Sequence, residues 1–391
     1  MSLPQVVLKK GREVPLKGGH PWVFSGAIER DVDRSLNLKP GSLVDVLSAD
    51  GQMLGTGTWH GRNSIRVRMV SREHIDGFTQ QFFTSRFRSL LNQKRTLLEA
   101  GTTGFRLVHS DADGFPGLIV DVFGSIAVFQ LGAEGFEEAS DLITGALVEV
   151  LSPKCVVKRS DDPSVAPVVT FGENIDKAIF FENGLKMIAL CQSGQKTGFF
   201  LDQRNARLAL RTMAKGKKVL DLFCNSGGFS LSAAAGGAVQ VTGVDVSDKA
   251  LSLLKEMIRL NKISEKACDV KTVNRDVFEY LEMVRPGSYD IIVCDPPAFA
   301  KTHDAVEQAR KAYVRLNRKC LEKLDSGNIL ITSSCSGAVT MEDFRDCVRI
   351  ASGQSGRDVR ILAVLSQPAD HTLKMSFPEG QYLKTFILQV L

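Results

Sequence analysis

The chain has 391 residues, of which 43% are hydrophobic and 24% are charged, enough to bury the cores of roughly two to three domains. A net charge of +5 and an isoelectric point of about 8.7 permit a nucleic-acid partner without requiring one. No apolar run reaches the roughly 18 residues that span a bilayer, and the opening segment MSLPQVVLKKGREV lacks the apolar block of a secretory signal. We therefore expect a cytoplasmic protein with no membrane partner.

Eight cysteines are scattered along the chain without a C-x-x-C pair, and the histidines do not cluster. Zinc sites and disulfide frameworks both need closely spaced ligands or paired cysteines. The sequence therefore predicts no metal site and reduced thiols.

Residues 1–72 are rich in short β patterns and turn signals. Leu43 to Ser48 alternates apolar and polar side chains, and Ile65, Val67 and Met69 alternate with polar residues in the run 64–70. We predict a small β-barrel whose Trp22, Phe24 and Trp59 either stack on a ligand or sit in the core. Its basic residues either contact a ligand or solvate a sheet face, and they are Lys9, Lys10, Arg12, Lys17, Arg62, Arg66, Arg68 and Arg72.

Residues 73–187 begin with an amphipathic pattern from Phe78 to Leu98, whose apolar stripe is typical of a core-facing helix. Strand patterns follow at 105–109, 117–122 and 126–131, then a helix near 134–151 and a strand at 155–158. This mixed pattern lacks a βαβ glycine turn, so it indicates an α+β scaffold or substrate-facing module.

Strands and helices alternate from residue 188 to residue 391, which predicts an α/β fold with a doubly wound, mostly parallel sheet. The last two strands have no helical pattern between them, so we expect an antiparallel hairpin at one sheet edge. The seven predicted strands are 218–222, 240–245, 269–274, 289–294, 328–334, 360–366 and 383–391.

The run VLDLFCNSGGF at 219–229 indicates a strand, a glycine turn and a helix, and the next strand again ends on an acid, Asp245. This arrangement presents backbone amides and a carboxylate to a nucleoside ligand. Asp245 suits the two hydroxyls of a ribose, and Asp276, after the third strand, suits an adenine amine or caps a helix. The turn lacks the glycine spacing of dinucleotide enzymes, which argues against a nicotinamide cofactor.

Asp295 follows an apolar strand and begins the segment DPPAF at 295–299. The two prolines stiffen the strand exit and lack N–H groups, so the loop can present carbonyl oxygens and a fixed carboxylate to a flat heterocycle. Phe299 is placed to stack on such a base.

These segments, in this order, resemble the signature motifs of class I S-adenosylmethionine-dependent methyltransferases. The segments 195–204 (QKTGFFLDQR), 333–337 (SSCSG) and 367–384 (QPADHTLKMSFPEGQYLK) are similar to the ribosomal RNA large subunit methyltransferase I family, which methylates carbon 5 of a cytosine in 23S rRNA. HPWVFSGAI at 20–28 resembles that family's RNA-binding PUA domain. The resemblance covers essentially the whole chain and divides it into a PUA-like domain (1–72), an α+β domain (73–187) and a catalytic domain (188–391).

The resemblance implies S-adenosyl-L-methionine as cofactor, ribosomal RNA or a large-subunit assembly intermediate as substrate, and Cys335 as nucleophile. From the chemistry of the reaction we expect Asp295, or a proton held on it, to stabilise the base edge as charge moves onto its ring nitrogen. Independently, carbon 5 of cytosine is a poor nucleophile until a thiolate adds to carbon 6, and a strand-end cysteine beside the fourth strand would lie near Asp295. The positions expected to hold the cofactor are Phe200, Asp202, Arg204, Asp221, Phe223, Cys224, Asn225, Ser226, Gly227, Gly228, Asp245, Val246, Asp276, Asp295 and Pro296.

Three other functions stay open at the level of sequence. A D-P-P-x-aromatic loop also suits methylation of a base nitrogen or a guanine, which requires no cysteine. A nicotinamide oxidoreductase and a non-catalytic RNA-binding protein are weaker alternatives. The sheet edge is compatible with a homodimer but does not require one.

Overall fold

The computed structural model describes residues 3–29, 38–61, 63–162, 164–300 and 303–391. Contacts divide the chain into two compact units that interleave along the sequence. Unit 1 comprises Met1–Phe181, Ala189–Leu201 and Ala369–Gly380, and unit 2 comprises Glu182–Ile188, Asp202–Pro368 and Gln381–Leu391. The division into three consecutive domains stays a prediction, because these units are defined by contacts rather than by sequence order.

The first sheet of unit 1 has five strands in the order β1-β3-β4-β5-β2. Only β1 and β3 are parallel. Trp59 is 3% exposed and packs in the core of this sheet with Val44 and Val67, so its packing interpretation is confirmed. The elements are β1 (Gln5–Val7), α1 (Val14–Lys17), β2 (Trp22–Phe24), β3 (Leu43–Leu47), β4 (Met53–Trp59) and β5 (Ile65–Ser71).

A second five-stranded sheet in unit 1 has the order β10-β9-β8-β7-β6. The predicted helix over 78–98 is two helices, because the chain turns at buried Lys94, whose ammonium donates to the carbonyl oxygen of Asp370 at 3.3 Å. The elements are α2 (Gln80–Gln93), α3 (Arg95–Glu99), β6 (Gly104–His109), β7 (Leu118–Phe123), β8 (Ile126–Leu131), α4 (Ser140–Leu151), β9 (Cys155–Ser160) and β10 (Val168–Gly172).

A two-stranded sheet of β11 (Lys177–Glu182) and β12 (Leu185–Leu190) follows, and the division between the units falls within each of these strands.

Unit 2 contains a seven-stranded sheet in the order β15-β14-β13-β16-β17-β19-β18. The first five strands are parallel, and β19 is antiparallel to both β17 and β18. The predicted fold class and edge hairpin are therefore confirmed. The strands are β13 (Lys218–Leu222), β14 (Gln240–Asp245), β15 (Asp269–Asn274), β16 (Ile291–Cys294), β17 (Ile329–Ser334), β18 (Val359–Leu365) and β19 (Lys384–Val390).

Helices cover both faces of this sheet. Side chains of β13 alternate between two apolar cores, with Leu220 and Leu222 in one and Val219 in the other, as expected of a parallel strand buried on both sides. The helices are α5 (Arg204–Met213), α6 (Gly228–Ala235), α7 (Asp248–Leu260), α8 (Val277–Met283), α9 (Val306–Glu322) and α10 (Met341–Ser355).

Among the helices that the structure describes, none combines the length and the apolar character that a bilayer crossing requires.

A buried ion pair ties together three segments of unit 1. Arg106 donates to both carboxylate oxygens of Asp121 at 2.8 Å, and the Thr197 hydroxyl donates to Asp121 at 2.6 Å. The backbone N–H of Arg106 also donates to Asp370 at 2.9 Å. Parts of the 195–204 and 367–384 motifs are therefore structural anchors of unit 1.

Asp121→Ala should lower the free energy of unfolding of unit 1 by about 3–5 kcal/mol, because it removes the carboxylate that accepts two hydrogen bonds from a buried guanidinium. The chain's two tryptophans, Trp22 and Trp59, both lie in unit 1, so urea unfolding followed by tryptophan fluorescence measures this change directly. Arg95→Ala removes one partner of the exposed Arg95–Glu99 pair and should cost no more than about 0.5 kcal/mol. Equal costs for the two variants would contradict the assignment.

Candidate active site

The candidate site forms where the central parallel strands of unit 2 end at the same level. Leu222 lies opposite Val244 on one side and Cys294 on the other, and Cys294 lies opposite Thr332. The loops that follow β13, β14, β16 and β17 therefore leave one edge of the sheet, which is where ligands bind in open α/β sheets.

The loop after β13 has an unusual backbone. Phe223, Asn225 and Gly227 have φ values of 59°, 48° and 85°, a left-handed conformation that is uncommon for residues other than glycine. At Gly227 an added Cβ would lie 2.5 Å from the Leu254 side chain. Alternation of this kind turns successive backbone N–H groups toward one point, where they can bind an acceptor group.

Asp221 is completely buried at the end of β13. Its Oδ2 accepts hydrogen bonds from the Ser230 backbone N–H at 2.9 Å and the Ser230 hydroxyl at 2.6 Å, which links the strand to α6. Its Oδ1 has no hydrogen-bond partner within the described part of the chain. Burial raises the pKa of Asp221 to about 7, so this carboxylate would gain from a cationic or hydrogen-bonding ligand.

Asp245 fixes the loop to the second strand. One carboxylate oxygen accepts from the backbone N–H of Asn225 and the other from that of Ser247, both at 2.9 Å. Each oxygen keeps a further lone pair that can accept from a ribose hydroxyl. Val246 next to it is 68% exposed and offers an apolar surface for a base.

Other residues of the predicted loop have structural roles. Cys224 is buried, and burial raises its pKa well above the ordinary value, so its thiol is unreactive. The Ser226 backbone N–H donates to the Asn225 side chain at 2.7 Å, and Gly228 begins α6.

Asp276 caps α8: its Oδ1 accepts from the backbone N–H groups of Phe278 and Glu279 at 2.8 and 3.1 Å. This is the cap interpretation that the sequence left open. The carboxylate is exposed at the end of β15, so its contact with an adenine amine stays a prediction.

Asp295 is held by a residue that sequence reasoning did not single out. Gln203, which is 3% exposed, donates from Nε2 to Asp295 Oδ1 at 2.7 Å. Pro296 is buried, and Phe299 packs on Tyr313 with ring centroids 4.8 Å apart. Phe299 is therefore partly committed to the protein core rather than presented whole to a base. Gln203 belongs to the QKTGFFLDQR motif, which was the only sequence signal for it.

Cys335 follows β17 directly and lies beside the loop that carries Asp295. Its Sγ is 3.9 Å from the Pro296 carbonyl oxygen. All eight cysteines lie within the described residues, and Cys335 alone among them is not buried. The expected proximity of this thiol to the 295–299 segment is present.

The remaining predicted cofactor residues fall in different surroundings. Asp202 accepts from the Tyr382 hydroxyl at 2.8 Å. Arg204 Nε lies 3.6 Å from Glu182, which also pairs with Arg207 at 2.7 Å. Phe200 belongs to unit 1, where the Lys196 ammonium lies 4.6 Å from its ring centroid.

The basic residues noted in the sequence differ in their surroundings. Arg68 Nη1 lies 3.1 Å from Asp111 Oδ2, and Arg68 Cζ lies 5.5 Å from the Trp22 ring centroid. Lys10, Arg12, Lys17 and Arg72 are exposed, whereas Arg62 lies outside the described residues. The described residues contain no group of three or more His, Cys, Asp or Glu side chains arranged to hold a metal ion.

Comparison with known proteins places this geometry in a family. A model described as S-adenosylmethionine-dependent methyltransferase matches residues 143–351, and a PUA-like domain model matches residues 6–72. Proteins of Aeromonas hydrophila and Salmonella arizonae, both named Ribosomal RNA large subunit methyltransferase I, are each 34% identical to this chain. The alignments cover 98% and 100% of this chain and 98% of each relative. The chain belongs to this family.

Two solved structures are similar to this chain over its full length. SMU.776, described as a methyltransferase complexed with SAH, is 26% identical to this chain and superposes with a TM-score of 0.85. The alignment covers 100% of each chain. A second solved structure, a SAM-dependent methyltransferase from Streptococcus mutans, is 25% identical with the same TM-score and coverage.

S-adenosylmethionine is the cofactor of this methyltransferase family, and the site has the features to hold it. The partnerless Oδ1 of Asp221 is an acceptor close to the loop, and the Gly227 position has no room for a side chain. The Asp245 carboxylate suits a ribose diol. No metal is needed to explain any of these groups.

Gly227→Ala should weaken S-adenosylhomocysteine binding at least about tenfold in isothermal titration, because the new Cβ is strained at positive φ and meets Leu254. Gly353→Ala is the matched control, since nothing lies within 4 Å of its added Cβ and its φ is ordinary. Wild-type affinity in Gly227→Ala would show that the loop does not hold the cofactor.

The thermal stability of the protein without cofactor should depend on pH through Asp221. Its pKa is raised from 3.8 to about 7, so the protonated carboxyl favours the folded state and this contribution is lost as pH rises through about 7. We expect the unfolding temperature of wild type, relative to that of Asp221→Asn, to fall between about pH 4 and about pH 7 in calorimetry and to level off above that range. Asp248→Asn, at the exposed start of α7, controls for loss of the charge. A wild-type to Asp221→Asn difference independent of pH would refute this.

Proposed function

We propose that this protein transfers a methyl group from S-adenosylmethionine to carbon 5 of a cytosine in large-subunit (23S) ribosomal RNA, with Cys335 as the covalent nucleophile. The observation that carries the proposal is the partly exposed Cys335, whose Sγ lies 3.9 Å from the Pro296 carbonyl oxygen at the sheet edge from which the 223–228 loop also leaves. The other seven cysteines are buried.

A thiol at this place meets a chemical need. Carbon 5 of cytosine is too weak a nucleophile for direct methylation, and addition of a thiolate to carbon 6 makes carbon 5 electron-rich. The cofactor supplies an electrophilic methyl group on a sulfonium. After transfer, loss of the carbon 5 proton allows the thiolate to leave and restores the aromatic ring.

Asp295 is the residue we propose to orient the base. Thiolate addition moves electron density toward N3 of the cytosine, and a positioned carboxyl group holding a proton stabilises that nitrogen. The hydrogen bond from Gln203 fixes the Asp295 side chain in one orientation, so this group is pre-positioned rather than recruited by substrate.

An RNA substrate is supported by the names of the relatives and by the surface of the PUA-like domain. Phe24 is 43% exposed, and Lys10, Arg12 and Lys17 lie near it in sequence and are exposed. Exposed aromatics stack on unpaired bases, and basic side chains contact phosphates. Because a paired cytosine is unreachable, the target base must be unpaired or flipped out of its helix.

Ribosomal RNA transcripts that contain 5-fluorocytidine test the cysteine step. Fluorine at carbon 5 cannot leave as a proton, so the proposed adduct should persist and migrate as a protein–RNA complex in denaturing gels. Cys335→Ala should form no complex and should lose methyl transfer by about a thousandfold or more. Cys347→Ala, which removes a buried thiol from α10, should behave as wild type.

Methyl transfer by Cys335→Ala at the wild-type rate would refute the covalent mechanism and favour a base nitrogen as target. Bisulfite sequencing of RNA from cells with and without the protein then shows whether a cytosine depends on the protein for its resistance to deamination, as 5-methylcytosine resists it, and at which nucleotide. Unchanged cytosine methylation in cells lacking the protein would refute the proposed substrate.

A further inference from the structure

Lys384 is an unusually buried lysine close to Cys335. It is 1% exposed in β19 and lies opposite Ser334, the residue before Cys335, in the antiparallel pairing with β17. Its ammonium donates to the carbonyl oxygens of Ser336 at 2.7 Å and Val339 at 2.6 Å. The Lys384 side chain thus holds two carbonyl oxygens of the 335–339 loop, which also carries the thiol.

The charge of Lys384 lacks the partner that a buried lysine normally has. Lysines are almost never fully buried unless paired, yet no carboxylate lies within 4 Å of this ammonium among the residues that the structure describes. Asp343 is an acid that acts on it, and Asp343 already accepts from Thr340 and pairs with Arg310. The other anion that acts on Lys384 is the thiolate of Cys335.

We propose that Lys384 is a positioning residue for Cys335: its ammonium holds the 335–339 loop in place and stabilises the thiolate form of the nucleophile. This inference rests on the proposed function, because it assigns a role toward a nucleophilic cysteine. A nearby ammonium makes a thiol easier to deprotonate by favouring its anionic form. The thiol proton passes to solvent, and no other reactant is needed.

The protonation state of Lys384 is compatible with this role. Burial lowers the pKa of Lys384 to about 8, while the Cys335 thiolate acts in the opposite direction. The ammonium therefore predominates at neutral pH, and its effect on Cys335 fades as the pH rises past about 8.

A neutral network completes the surroundings of the loop. The Tyr313 hydroxyl is 3.0 Å from the Ser336 hydroxyl, which also accepts from the Ala300 backbone N–H at 3.2 Å. Burial raises the pKa of Tyr313 to about 12, so this phenol stays protonated when the thiol ionises. Lys384 is then a positive group that acts on Cys335, Tyr313 is neutral, and Asp343 is paired with Arg310.

The pH dependence of Cys335 alkylation by iodoacetamide tests the proposal without any methyl transfer. Cys335 is the accessible thiol, so its rate can be followed by mass spectrometry of its peptide. Lys384→Met should move the inflection about one pH unit upward and lower the rate near pH 7 about tenfold, since one pKa unit is a tenfold change in thiolate fraction. Lys319→Met removes a charge from α9 that is already paired with Glu282 and should leave the profile unchanged. A wild-type profile in Lys384→Met would overturn the proposal.

The reciprocal measurement covers the case in which Lys384→Met does not fold. NMR of protein labelled at the lysine ε-carbons follows the titration of Lys384 in wild type and in Cys335→Ala. If the two groups interact, Lys384 should titrate at lower pH once the thiolate is absent. Equal titration in both proteins would overturn the proposal, yet leave a role of Cys335 as nucleophile intact.

Discussion

The parallel register of β13, β14, β16 and β17 is the constraint on which the site depends. Because these strands end within two residues of one another in register, residues more than 100 positions apart in sequence, from Asp221 to Cys335, reach one edge of one sheet. A shift of one residue in any strand would turn its side chains to the opposite face. The apolar cores on both faces oppose such a shift, so packing of the sheet sets the geometry of the chemistry.

Buried or partly buried charged side chains are placed where this sheet meets its loops. Asp221, Asp295 and Lys384 all lie at or next to strand ends on the ligand-binding side. Each costs stability when it is taken from water, and each is held by hydrogen bonds that fix its direction. This loss of folding stability is offset in function, because oriented charges in a region of low dielectric interact strongly with a bound ligand.

The sequence predicted the fold of the catalytic domain. It did not predict the residues that hold the side chains of the site in position. The central strands were readable because they are largely apolar runs between turns, as in Ile291–Cys294, which is typical of buried parallel strands. The role of Gln203 depends on a contact with a residue 92 positions away, which no local pattern encodes. Lys384 lies in the run YLKTFILQV, where a lysine suggests an exposed position, yet β19 is enclosed between β17 and β18. The left-handed backbone at Phe223 and Asn225 was equally hidden, since neither is a glycine.

The path of the chain has a consequence for its synthesis. It passes between the two compact units after residues 181, 188, 201, 368 and 380, and Asp370 accepts a hydrogen bond from Arg106 within unit 1. Unit 1 includes residues 369–380, so it cannot complete its fold during synthesis until nearly the whole chain has been translated. Neither unit 1 nor unit 2 is a contiguous stretch of sequence. A truncated chain would therefore contain incomplete units.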